Sequence, residues 1–140
     1  LVLHLVKLCV GADSIADLKG WVEERVRERR GPPRSLHVTR MVPTRAPQIV
    51  EGGSLYWVIR GQLSARQRVL EIEPFLDMDG VGRCRLWLDP EVVELAPRPM
   101  RAFQGWRYLK ASDAPADLGK GGEAAMPEEL RRALGELGLL

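Results

Sequence analysis

Residues 103–109 read FQGWRYL and set three aromatic rings, an amide and a guanidinium around one glycine. Side chains alternate along a strand, so Gln104, Trp106 and Tyr108 share one face, and Phe103, Gly105 and Arg107 share the other. An indole and a phenol beside an amide suit a flat polar ring. The rings stack on it, and the amide reads one edge through a paired donor and acceptor. Packing of the same face into a core is the competing reading. Gly105 also permits a bulge that would break the alternation.

Two other stretches carry comparable chemistry. In HVTRMVPTR (37–45), His37, Thr39 and Met41 face one way and Val38, Arg40 and Val42 the other. Whichever face is buried, His37 or Arg40 then needs a hydrogen-bonding partner. In GGSLYWVIRGQLSARQR (52–68), Tyr56 and Trp57 are adjacent and point to opposite sides, so only one of them can line a given pocket. Residues 25–68 hold ten basic and two acidic side chains, all ten cations being arginine, although the whole chain has a net charge of only +2. Arginine grips phosphate or carboxylate bidentately and stacks on rings. The ligand-binding candidates are therefore Thr39, Arg40, Tyr56, Trp57, Gln104 and Trp106. Arg45, Arg66 and Arg107 are the candidate phosphate contacts. Structural ion pairs, a core tryptophan and solvated arginines are the plain alternatives.

Signals for catalysis are sparse. His4 and His37 are the only histidines, and either could act as a base beside Cys9 or a serine, though no spacing demands it. Cys9 and Cys84 sit in apolar runs outside any CxxC, so they read as buried thiols rather than as a zinc site or disulfide framework. Gly52-Gly53-Ser54 lacks the lysine and spacing of a phosphate loop. The DMDG at 77–80 reads as a hairpin turn because it lacks the remaining ligands of a calcium loop. No catalytic residue, metal or cofactor is expected.

These side chains need elements to position them. LVLHLVKLCV opens the chain as a strand, Val2 to Val10, and not as a signal peptide; a residue or two before Leu1 is expected. A helix follows, capped by Asp13 or Ser14, with Ile15, Leu18, Trp21, Val22 and Val26 on one face. Arg27, Arg29 and Arg30 lie at its carbonyl end, and Gly31-Pro32-Pro33 stops it. Strands are expected at Leu36–Val42, Leu55–Arg60, Ala65–Glu73, Arg83–Leu88 and Phe103–Leu109, with Pro43–Gly53 a loop and Asp79-Gly80 a turn. Asp89-Pro90-Glu91 resembles a cap followed by a first-turn proline, which predicts a helical turn through Leu95. Residues 1–118 form the expected domain. Residues 119–140 are expected to be a flexible linker and a short C-terminal helix carrying Leu130, Leu134 and Leu137. No apolar run approaches the roughly 18–20 residues of a membrane span, and the cysteine usage fits a reducing, cytoplasmic setting.

HLVKLCVGADSIADL, HVTRMVP, GGSLYWVIRG, ARQRVL and FQGWRYLK together resemble a family of small bacterial proteins, mainly alphaproteobacterial, known only as a domain of unknown function. The order of blocks is also similar to the PUA-like superfamily, in particular its EVE and ASCH branches. Those branches usually carry Gly-Asp where this chain has Gly53-Ser54, and an Asn-rich motif where it has His37-Val38-Thr39-Arg40. That resemblance implies an α+β fold: a small, mostly antiparallel β-barrel with one N-terminal amphipathic helix and short helical turns. It further implies a non-catalytic module binding RNA, or single-stranded or modified DNA, with no membrane partner. A small hydrolase or nucleotide-modifying enzyme using His37 or His4 stands as an alternative. A module docking acidic protein segments on the 25–68 patch is another, and oligomeric state is left open.

Overall fold

The computed structural model describes residues 2–118 and, beyond them, helical Glu136. The expected 119–140 linker and helix otherwise lie outside the described residues. Strand β1 (Leu3–Leu8) leads into α1 (Ile15–Glu28), then β2 (Ser35–Thr39), the short helix α2 (Ala46–Val50) and β3 (Ser54–Ile59). Strands β4 (Gln62–Leu76), β5 (Gly82–Leu88), β6 (Val93–Pro99) and β7 (Trp106–Lys110) follow. The strand order is β2-β5-β4-β3-β1-β7, with β6 also paired to β4. Among the described residues only β1 and β3 run parallel, and every other strand pairing is antiparallel.

Helix α1 forms as its local signals dictate. Ser14 caps it by accepting from the Asp17 N–H at 3.1 Å, and Ile15, Leu18 and Val22 are buried. The turn between β3 and β4 places Arg60 at φ 48° and Gly61 at φ 76°, the two positive values that a type I′ hairpin requires.

The long strand β4 serves two sheets. Its first half runs between β3 and β6, while its second half pairs with β5. The register shifts between Val69 and Glu71, which lets one strand turn the corner from one sheet to the other. The sheet does not close into the expected barrel, because β2 and β7 end it without pairing to each other. Side chains reach across instead. Trp106 Nε1 donates to the Met41 carbonyl at 2.8 Å, and the Tyr108 hydroxyl accepts from the Arg45 N–H at 3.1 Å.

Three local expectations are corrected. The expected helical turn after Asp89 is strand β6: Asp89 Oδ1 does accept from the Glu91 N–H, but the chain then extends along β4. Pro97 falls in the register break opposite Leu63–Ala65, and Pro99 precedes Met100, whose N–H donates to the Gly61 carbonyl, so the Pro99 nitrogen points away from β4 and no ladder bond is lost. The 43–53 loop contains α2, with Pro47 in its first turn. The last strand begins only at Trp106, since Gly105 turns the chain at φ 71°.

Strand β3 is buried along its whole length and separates two apolar clusters. One lies beneath α1 and includes Leu5, Ile15, Leu18, Val22, Trp57 and Leu86. The other, on the opposite face, includes Val6, Tyr56, Val58, Leu63 and Leu95, with Phe103 against it.

Candidate functional site

The parallel register of β1 and β3 decides which side chains meet. Lys7 stands opposite Trp57 on β3 and opposite Trp106 on β7, so all three lie on the α1 face. Val6 stands opposite both Tyr56 and Arg107, and Tyr56 is paired with Arg66, which puts those three candidates on the other face. The residues singled out in the sequence are therefore divided between two sides of one sheet.

On the far face the polar groups are already committed to one another. Arg66 grips Asp117 bidentately at 2.8 and 2.7 Å and also donates to Ser54 Oγ at 3.0 Å. That bond holds the Asp117 carboxyl below its ordinary range. Tyr56 is buried edge-on to His4, and the His4 Nδ1 accepts from the Ser54 N–H at 3.0 Å. Arg107 lies over Phe103, 4.3 Å from the ring centroid.

On the α1 face, Trp57 is a core residue. Its Nε1 donates to Gln67 Oε1 at 3.0 Å, and the Gln67 Nε2 donates to the Asp89 carbonyl at 2.9 Å. Replacing Gln67 by leucine leaves a buried indole N–H without an acceptor. We expect it to cost about 1–3 kcal/mol in urea unfolding; a change under about 0.5 kcal/mol would show that water takes over the amide's role. Thr39 is buried at the end of β2, whereas Arg40 and Gln104 are exposed. Arg45 donates to Gln48 Oε1 at 2.9 Å and lies 5.7 Å from the Tyr108 ring, which stands edge-on to Trp106.

His37 shares this face, edge-on to Trp57 with ring centroids 5.0 Å apart. It lines a cavity of about 90 Å³ beneath α1, together with Cys9, Leu18, Trp21, Val22, Arg25 and Trp57. The same His37 and Arg25 also line an open groove of about 790 Å³ between the end of α1 and β2. Arg29 and Arg30 stand on that groove, and Glu28 is the one acid among its described lining residues.

Burial, with the positive fields of Lys7 and Arg25 added to it, pushes the His37 imidazole down to about 4. The ring is therefore neutral at pH 7. Burial lowers Lys7 as well, and it raises the Cys9 thiol to about 11 despite Arg25 and Lys7 beside it. A protonated thiol beside a neutral imidazole is not a thiolate nucleophile. No carboxylate lines the cavity among the described residues.

Of the groups around His37, the sequence marks Cys9 as a candidate partner of a histidine and places Arg25 in the basic 25–68 stretch, whereas Lys7 was not legible as a site residue. The one local trace was a lysine on the buried phase of an otherwise apolar strand. Among the described residues, no group of three or more His, Cys, Asp and Glu side chains could hold a metal, and no helix is long and apolar enough to cross a membrane. The family model described as Protein of unknown function (DUF1489) matches residues 5–140, and the chain belongs to that family. No curated protein and no solved structure matches it.

Proposed function

We propose that the protein is a non-catalytic module that binds a single-stranded nucleic acid, RNA or DNA, along the groove between α1 and β2. The PUA-like resemblance points the same way, and one observation carries the reading: the arginines of this groove are left without carboxylate partners. Among the described residues Arg34 pairs with Glu71 and Arg66 with Asp117, whereas Arg25, Arg29 and Arg30 form no ion pair. Three guanidinium groups at one rim fit a row of phosphates. The chain continues from β2 through Arg40 to Arg45, beside the part-exposed Tyr108, which offers a ring for one base. Tyr56 and Arg66, held on the opposite face, have no part in this arrangement.

The test is fluorescence anisotropy with a labelled mixed-sequence RNA and the matching single-stranded DNA across a salt series. Binding is expected to weaken with salt, each phosphate contact contributing about −0.7 to the log–log slope. R29E/R30E, checked for folding by circular dichroism, is expected to flatten that slope by about 1.4. The competing occupant is an extended acidic peptide on β2, which pairs on one side only, with β5. No salt-dependent binding at micromolar protein would overturn the assignment, as would a polyglutamate peptide that binds as tightly as RNA.

A further inference from the structure

The smaller cavity beneath α1 shares His37 and Arg25 with the groove, but its chemistry is more specific. We infer that it is a binding site for a small carboxylate with a short apolar tail, the headgroup meeting His37 Nε2 and Arg25 and the tail lying among Leu18, Val22, Trp57 and Leu88. Four observations support this.

First, His37 Nε2 is buried and has no hydrogen-bond partner, one of only two such side-chain atoms among the described residues. A native interior rarely leaves such an atom unmatched, so a missing ligand or water is its ordinary explanation. Second, two of the neighbouring polar side chains, Trp57 and Gln67, are already engaged. The Trp57 Nε1 and both ends of the Gln67 amide bond to each other or to the Asp89 carbonyl. Third, the charges facing His37 are Lys7 from β1 and Arg25 from α1, and Cys9 just beyond β1 holds its proton. Around the rim stand Arg29, Arg30 and Glu28, while β3 and β5 offer the uncharged Trp57, Leu86 and Leu88. An anion is the one kind of group that relieves this unbalanced positive field. Fourth, the cavity of about 90 Å³ is well below the roughly 150 Å³ of an apolar cavity that takes up benzene. That admits acetate or propionate and is too small for an aromatic acid.

A carboxylate docked against the imidazole favours its charged form, so binding carries one proton from solvent to His37. The complex then holds an imidazolium–carboxylate pair flanked by Arg25. Affinity consequently falls as pH rises above the imidazole's value in the complex.

The experiment is calorimetry of the full chain with propionate at pH 6, in two buffers of different ionisation enthalpy, with propionamide as the neutral analogue. Propionate is expected to bind with uptake of a fraction of a proton approaching one, and propionamide to bind at least about tenfold more weakly. His37→Phe, verified as folded, should weaken propionate about 10- to 100-fold. His37→Gln, which keeps a donor but cannot titrate, should retain weak binding with no proton uptake. R29E/R30E reverses the rim charges, so it should weaken propionate by less than His37→Phe does and leave the proton uptake in place, whereas it should remove the salt-dependent RNA binding; this inference and the nucleic-acid reading therefore fail separately. Equal binding of amide and acid, or no heat with either, overturns the proposal.

Discussion

Replacing Gly53 by alanine is expected to destabilise the protein by about 4 kcal/mol or more, close to the whole stability of many domains. Gly53 lies where the end of α2 is pressed against β1. A Cβ built there sits 2.1 Å from the Leu3 carbonyl oxygen and 2.7 Å from that of Ile49. Both obstacles are backbone, so no rotamer change relieves the contact. The position is tied from several directions: the Gly53 N–H donates to Ile49, and its carbonyl accepts from the Val69 N–H at 3.0 Å and from Arg68 Nη1 at 2.9 Å. Arg68 also donates to the Val50 carbonyl at 2.8 Å, so moving α2 away would break that bond as well.

Two neighbouring cases serve as controls. Alanine at Gly52 meets only a Val2 methyl at 3.1 Å, which can rotate away, and should cost under about 1 kcal/mol. Alanine at Gly20, inside α1 with nothing within 4 Å, should stabilise by about 0.5–1 kcal/mol. Urea unfolding followed by tryptophan fluorescence ranks all three. A Gly53→Ala protein within about 1 kcal/mol of the parent would refute the close approach on which the β1–α2 packing depends.

The second large effect is acid sensitivity centred on His37. Its imidazole titrates near 6.5 in an unfolded chain and is lowered to about 4 in the fold. Above pH 6.5 both states are neutral and the group has no influence. As pH falls from 6.5 toward 4, the unfolded chain takes up a proton that the folded one refuses, and stability declines. A difference of about 2.5 pH units corresponds to about 3 kcal/mol, fully lost below pH 4. His4 is lowered for the same main reason, burial, and adds to the loss in the same direction. Asp117 acts only at still lower pH, where protonating it releases Arg66. His37→Gln isolates the first contribution. Its stability between pH 7 and pH 4 should fall by about 3 kcal/mol less than the parent's. Identical pH curves for the two proteins would mean that His37 titrates in the fold as it does in water. A saturating carboxylate in the cavity should narrow the difference by pairing with the protonated ring.

The sequence alone determined what depends on near neighbours. Ser14, Asp17 and the Ile15–Leu18–Val22 spacing specify α1, because capping and the 3.6-residue period act within a few residues. Alternation gave the strands, and Asp79-Gly80 gave one of their turns. The sequence also pointed to a family of unknown function, and a family model of that kind matches residues 5–140. Local signals failed where two outcomes share one signature. Asp89-Pro90-Glu91 can start a helix or turn into an edge strand, and the β4 ladder chose the strand. Gln104 fell outside the strand that carries Trp106 and Tyr108, where Gly105 took a positive φ that residue type allows but does not require.

Only the tertiary structure decided the site. The middle third's arginines look alike in sequence, yet Asp117, 51 residues away, occupies Arg66, whereas no acid in the described chain reaches Arg29 or Arg30. Lys7, Trp57 and Trp106 meet because a parallel register joins β1 to a strand some fifty residues later. His37 Nε2 became a buried, unpartnered nitrogen because α1 covers the face to which β2 turns it. Burial and pairing arise between distant segments, so no window of sequence contains them. That is why FQGWRYL showed where chemistry was concentrated, and the packing beneath α1 showed which groups remain open to a ligand.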